Sequence, residues 1–231
     1  MKETQCMQDL SVLFLTLNRM PSKFAEYQFE TLKKAVGDSN LLAISRQPMD
    51  CEYILDDNEP GYINIYRQML RGAKLVDTEY IAVAEDDCFY HESHFKLRPS
   101  NSDTFLYNQH RWGLFTWNPE MYSWRNRYSN STLIAPRKLL IEALEERFEK
   151  LGDNWNPKFV GEVGRDRVER GLGVTLRKSE IAFSPIGVIQ FNHVDAHEER
   201  QKRKRKSFGN IRAIDIPHWG NSVELNKIYE N

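Results

Sequence analysis

Apolar residues fall into two patterns along this chain: short unbroken runs, and longer stretches in which they recur every three or four positions. Ser11-Val-Leu-Phe-Leu-Thr-Leu17 is an unbroken run rich in β-formers. It ends at Asn18-Arg-Met-Pro21, which predicts a buried parallel strand opening into a loop. Phe24, Tyr27, Leu32 and Val36 then share one helical face, between a cap at Ser22 and a stop at Gly37-Asp-Ser-Asn40, and a second strand spans Leu41 to Ser45. Tyr62 to Leu75 repeats the helical spacing with Ile63, Tyr66, Leu70 and Ala73. It feeds a third apolar strand, Tyr80-Ile-Ala-Val-Ala84, which runs straight into Glu85-Asp-Asp87.

The second half reads differently. Thr104 to Tyr128 holds Phe105, Tyr107, Trp112, Phe115, Trp117, Tyr122, Trp124 and Tyr128, and reads as irregular strands and loops. Pro136 to Leu151 predicts a charged amphipathic helix, broken by Asn154-Trp-Asn-Pro157. A second helix follows near Glu162 to Arg170 with a stop at Gly171-Leu-Gly173, and Ile181 to Phe191 predicts one or two late strands. There is no internal repeat. Strands alternating with helices predict an α/β fold with a mostly parallel sheet, whose ligands bind beyond the carboxyl ends of the strands. Asn18, Arg19 and the acids Glu85 to Asp87 share that edge.

Composition narrows the class. The chain has 231 residues, 40% hydrophobic and 28% charged, enough for one compact domain and far from the signature of disorder. The net charge of -1 leaves no overall field for a polyanion, so any such affinity comes from a local patch. Cys6, Cys51 and Cys88 are odd in number and form no CxxC pair, which argues against a disulfide framework and for a reducing, cytoplasmic setting. Val12 to Leu17 is too short for a signal-peptide core or a membrane span.

The acids at the end of the third strand carry the chemistry. A hard divalent cation held by carboxylate oxygens can bridge diphosphate oxygens and stabilise charge on them as they leave. If the strand geometry persists through the acids, alternation points Glu85 and Asp87 to one side and Asp86 to the other, with Asp87 the first choice as a ligand. As an isolated triplet these acids would be a solvated turn; the apolar strand before them favours a site.

Over roughly its first ninety residues the chain resembles glycosyltransferases of the GT-A fold, similar to the large family two. Leu15-Thr-Leu-Asn-Arg19 stands where that family often has a strand ending Thr-Tyr-Asn-Arg, and Val83-Ala-Glu-Asp-Asp87 stands where its Asp-x-Asp motif closes the third strand. The resemblance implies a single GT-A-like domain over 1–231: a mostly parallel nucleotide-sugar-binding sheet flanked by helices (1–100), and a smaller mixed acceptor-side region (101–231). It implies Thr16, Asn18 and Arg19 near the nucleoside, Asp56 or Asp57 near the base or ribose, Asp86 beside the donor, and Asp87 on Mn2+ or Mg2+. Glu85 departs from the usual first Asp. A histidine after the late strand often returns to the metal in such enzymes, which nominates His193, then His197, then His218. An inverting enzyme needs a base to take the acceptor proton, and the late-helix acids Glu162 and Asp166 are in the right zone. The implied reaction is transfer of a hexose, with UDP-glucose the first donor to consider, to a hydroxyl.

Three further readings stay open. Cys88, His91 and His94 have a spacing that could gather zinc ligands. Lys202 to Lys206, in a run beginning at Glu198, could be a solvated loop, a loop closing over a diphosphate, or a hold on DNA together with the aromatic segment and Arg111, Arg125 and Arg127. Hydroxymethylated bases in DNA are then a candidate acceptor, as for some virus-encoded transferases. The alternatives in other classes are a nucleotidyltransferase, against which the absence of a Gly-rich loop at Leu15 to Ser22 speaks, and a non-catalytic nucleic-acid-binding module.

Overall fold

The computed structural model describes residues 9–193 and 209–230. Its elements run β1 (Leu10–Leu15), α1 (Ser22–Val36), β2 (Asn40–Ser45), β3 (Glu52–Leu55), α2 (Asn64–Leu75), β4 (Tyr80–Glu85), β5 (Cys88–Phe89), α3 (Glu92–Phe95), β6 (Thr104–Asn108), β7 (Arg111–Phe115), β8 (Asn118–Trp124), a 3-10 turn (Asn130–Thr132), β9 (Leu133–Pro136), α4 (Arg137–Leu151), α5 (Asp166–Leu172), β10 (Lys178–Ala182) and β11 (Val188–Asn192). Three two-residue strands, β12 (Arg212–Ala213), β13 (Asp215–Ile216) and β14 (Gly220–Asn221), lead to α6 (Ser222–Glu230).

The main sheet has the order β10-β6-β9-β4-β1-β2-β3, parallel throughout except for β9, which pairs antiparallel with both β4 and β6. Helices cover both faces. Leu13 and Leu15 of β1, with Ile81 and Val83 of β4, meet Tyr66, Met69 and Ala73 of α2 and Leu140, Ala143 and Leu144 of α4. The alternate residues Val12, Phe14, Ala82 and Ala84 meet Phe29, Leu32, Ala35 and Val36 of α1. Each large side chain buried this way contributes about 1.5–3 kcal/mol. Gly72 allows α2 to lie close on the sheet, since a Cβ there would stand 2.9 Å from a Leu13 methyl. A second, smaller mixed sheet, β12-β8-β7-β11-β5, packs Trp112, Leu114, Tyr122, Ile189 and Phe191 against Phe24 of α1 and Leu225 of α6. The architecture is a mostly parallel sheet flanked by helices, beside a smaller mixed sheet.

The β-α-β opening follows the predicted elements closely, and Gly37 ends α1 in a positive-φ conformation (58°). Ser22 is not a cap: it is the first helical residue, and Pro21 holds the cap position without a side-chain bond. The aromatic stretch is also more regular than predicted. It forms β6, β7 and β8; the residues of β6 and β7 are buried on both faces, so the alternation that announces a strand is absent there, while β8 is buried only at Tyr122 and Ser123. Strands β6, β9 and β10 join the same sheet as β1 to β4, while β5 joins the second sheet. Among the described residues no helix is long and apolar enough to cross a membrane.

The zinc reading of Cys88, His91 and His94 is not supported: each is used elsewhere. The Cys88 thiol donates to Asp87 (3.0 Å), His91 caps α3 by accepting from the Ser93 amide (3.2 Å), and His94 is buried, its Nδ1 3.1 Å from Asn108 Nδ2. Burial drives the His94 imidazole down to about 3. The folded chain therefore keeps His94 neutral at pH values where the unfolded chain protonates it, and stability falls as pH drops below about 6.5. His94→Gln is expected to flatten the pH dependence of unfolding free energy between about pH 6 and pH 4 by up to about 1.4 kcal/mol per pH unit, read by urea denaturation.

Candidate active site

Strand order decides where a ligand can sit. The chain leaves β1 toward β2 and β3 on one side and returns as β4 on the other, so the β1–β4 boundary is a switch point at the carboxyl edge of the sheet. Thr16 leaves β1 there, and Glu85, Asp86 and Asp87 leave β4, with Leu15 in register with Glu85.

The β1 exit is a tied loop. The Thr16 hydroxyl donates to Asp86 Oδ2 (2.6 Å) and accepts from the Asn18 amide (2.9 Å). Asn18 takes a left-handed conformation (φ 53°), which its short polar side chain tolerates, and its Oδ1 accepts from the Arg46 amide at the β2 exit (2.7 Å). Arg19 is exposed. Of the two acids after β3, Asp56 is buried and committed to structure. Burial pushes its carboxyl up, but donors from Asn64 (2.8 Å), Asn58 (2.6 Å) and Gln68 (2.7 Å) outweigh this and leave it below the ordinary range. Asp57 is exposed.

Three consecutive acids meet three environments. Glu85 extends the β4 face that carries Ile81 and Val83, the α2 side, and its charge reaches Tyr66 and Arg111. Asp86 turns to the opposite face and Thr16; burial first, and then the charge of Asp87, lift its carboxyl to about 6. Asp87 is 8% exposed, its Oδ1 accepting from Cys88 and its Oδ2 from the Gln190 amide (3.1 Å). The turn is pinned by Gln28 of α1, which donates to the Cys88 carbonyl (2.9 Å), and by Tyr90, whose hydroxyl accepts from the Glu85 amide (3.0 Å) and donates to the Ser131 carbonyl (3.0 Å).

Glu162 shares two charge neighbours with Glu85, namely Tyr66 and Arg111. It lies in the loop before α5 rather than at a helix start, because that helix begins at Asp166. The buried Arg147 guanidinium donates to the Gly161 and Glu162 carbonyls (2.9 and 3.2 Å) and lies over the rings of Tyr66 and Trp155. The Glu162 charge acts on Tyr66, which burial first and this carboxylate second push up to about 12, and on Arg111. Asp166 lies elsewhere. It is exposed, pairs with Arg170 (3.5 Å), and lines a cavity of about 530 Å³ with Thr104 and Lys178. Those residues begin β6 and β10, so that cavity is at the amino ends of the strands, away from the acids.

His193 is buried one residue past β11, its ring 6.2 Å from that of Tyr229. His218 sits at φ 72° with its ring 4.7 Å from that of His91. His197 and Lys202 to Lys206 lie outside the described residues. Among the described residues no three His, Cys, Asp or Glu side chains form a group that could hold a metal ion. Of the aromatic segment and its arginines, Phe105, Tyr107, Trp112, Phe115 and Tyr122 are core residues, Arg111 is buried, and Arg125 stacks on Phe115 at 4.7 Å. Trp117 is exposed.

Two residues here, Arg111 and Gln190, carry no marker in a single sequence. Arg111 reads only as a basic residue among aromatics, yet its guanidinium is buried, donating to Gln190 Oε1 and the Arg127 carbonyl (3.3 Å), with Nε buried and unpartnered. Burial lowers its proton affinity, while Glu85, Asp87 and Glu162 oppose that effect. Arg111→Met is expected to destabilise the fold by about 1–3 kcal/mol at neutral pH, because it leaves the Gln190 Oε1 atom without the donor it faces; chemical denaturation checks it.

No family model matches the chain, and no curated protein does. Among solved structures it is similar to a glycosyltransferase involved in glycosylation of the major capsid of PBCV-1, at 10% identity and TM-score 0.49 over 84% of this chain and 97% of that one. It is similar to an inositol-1-phosphate CTP transferase from T. maritima, at 9% identity and TM-score 0.47 over 84% and 93%. A third is a Drosophila beta-1,4-galactosyltransferase 7 mutant in complex with manganese, UDP-Gal and xylobiose, at 13% identity and TM-score 0.39 over 87% and 76%. The chain spans about half (49%) of the bifunctional IspDF from Campylobacter jejuni, at 11% identity and TM-score 0.40 over 76% of this chain. At these identities and scores the likeness is one of chain path and says nothing of substrate.

Proposed function

We propose that this chain is a metal-dependent glycosyltransferase that moves a sugar from a nucleoside diphosphate donor, UDP-glucose first among those to try, to an acceptor hydroxyl. The observation that carries it is the Thr16 hydroxyl bonded to Asp86 at the switch point of the sheet, between Glu85 and Asp87, whose charges, with that of Glu162, act on the buried Arg111. A magnesium- or manganese-type ion fits this donor set. Such ions take one or two carboxylates and complete their shell with water and phosphate oxygens, so Glu85 and Asp87 suffice without a third protein ligand. Each oxygen of Asp87 accepts one hydrogen bond and has a second lone pair for a cation.

In this reading the loop from Thr16 to Arg19 and the exposed Asp57 receive the nucleoside. Glu85 and Asp87 would hold the Mn2+ or Mg2+, which would supply stabilisation of the negative charge on the leaving diphosphate. The acceptor oxygen bonds to the anomeric carbon, the bond from that carbon to the donor phosphate oxygen breaks, and the electron pair leaves with the nucleoside diphosphate. Glu162, its main chain held by Arg147 and its carboxylate 3.1 Å from Arg165, takes the acceptor proton if configuration inverts. DNA bearing hydroxymethylated bases, met through the basic run Lys202 to Lys206, is a minority candidate acceptor beside glycan, lipid-linked and protein hydroxyls.

Incubation with UDP-glucose and Mn2+ should release UDP, and EDTA or Asp87→Asn should abolish the release. Release of pyrophosphate from a nucleoside triphosphate instead would assign the site to nucleotidyl transfer, and metal-independent binding without turnover of any common donor would remove the enzyme reading. Glu162→Gln should leave donor affinity unchanged and slow transfer by ~10²-fold or more; full activity moves the base elsewhere. Transfer to DNA bearing hydroxymethylated bases should disappear on charge reversal of Lys202 to Lys206.

A further inference from the structure

We propose that Gln190 is a positioning residue for Asp87, coupling that carboxylate to the buried charge of Arg111 and fixing its oxygens for a divalent cation. The inference rests on the functional reading above and deepens it. The geometry has one consistent hydrogen-bond assignment. A guanidinium only donates, so the Gln190 carbonyl oxygen must face Arg111, which leaves the amide nitrogen to face Asp87. Asp87 Oδ2 is thereby an obligatory acceptor, and Oδ1 is turned toward the Cys88 thiol.

Strand pairing builds this arrangement. β11 runs between β5 and β7, with Gln190 in register with Cys88 on one side and Gly113 on the other, so its side chain spans from the β4–β5 turn to β7. The Phe191 amide donates to the Asp87 carbonyl (2.8 Å), holding the main chain of the acid as Gln190 holds its side chain. Arg111 is 1% exposed, and among the described residues it makes no direct ion pair within 4.0 Å; the amide of Gln190 is its link to Asp87. A buried guanidinium without a paired carboxylate is costly as packing alone. It is accounted for when its charge offsets the crowded acids Glu85 and Asp87 before a cation arrives. Outer partners of this kind orient metal-binding carboxylates and typically change metal affinity by ~10–100-fold when removed.

The test is Mn2+ binding to the whole protein, read by electron paramagnetic resonance of the free ion, with and without UDP. Gln190→Met keeps side-chain length and removes both hydrogen bonds. It is expected to weaken Mn2+ binding by ~10–100-fold while metal-free UDP affinity and cooperative unfolding stay as in the wild type. In that background Arg111→Met should weaken Mn2+ no further, because with the amide gone Arg111 no longer holds Asp87 in place and its positive charge only opposes the cation; independent support of Asp87 would add. Should Arg111→Met not fold, Gln190→Met alone decides. Unchanged Mn2+ affinity in Gln190→Met, or additive losses in the double variant, overturns the positioning role and leaves the functional reading standing. Absence of Mn2+ binding by the wild type overturns both.

Discussion

Three carboxylates in succession at the end of one strand are the constraint around which this molecule is organised. Like charges so close repel, and the fold relieves this by sorting them: Glu85 onto the α2 side, Asp86 against the Thr16 hydroxyl with its carboxyl lifted to about 6, and Asp87 onto Gln190. Relief is partial, because burial and the neighbouring acid still press on Asp86. A crowded set of acids at the open edge of a parallel sheet is a poor device for stability and a good one for a cation that arrives with its own anionic ligand.

The surrounding structure serves rigidity at that edge. Gln28 from α1, Tyr90 from beyond the turn and Phe191 from β11 each bond the main chain between Glu85 and Cys88, so the acids are fixed from three directions. The neighbouring loop is held as firmly by Asn18, which reaches across to the Arg46 amide. Asp56 plays a comparable part for the segment after β3 and uses its oxygens on three amide side chains in doing so. The second sheet matters because β7 and β11 deliver Arg111 and Gln190 to acids that lie far from them along the chain.

Much of this is legible in the sequence, and the division is physical. Local periodicity reveals β1, α1, β2, α2 and β4, because each has one dominant pattern. Strand alternation alone separates Glu85 from Asp86. What local pattern misses is what depends on distant pairing. The aromatic stretch hides β6 and β7 because both of their faces are covered. Glu162 lies before its helix because Arg147, fifteen residues earlier, claims its carbonyl. Asp166 loses its place beside Glu162 because α5 carries it to the amino ends of the strands. Gln190 meets Asp87 across 103 residues, a contact that no local pattern encodes.

The most direct test is an anomalous diffraction experiment at the manganese edge on crystals grown with Mn2+ and UDP. The account predicts one strong peak between the carboxylates of Glu85 and Asp87 and the diphosphate, beside the loop from Thr16 to Arg19. Clear UDP density with no peak there, or a peak elsewhere on the chain, contradicts it.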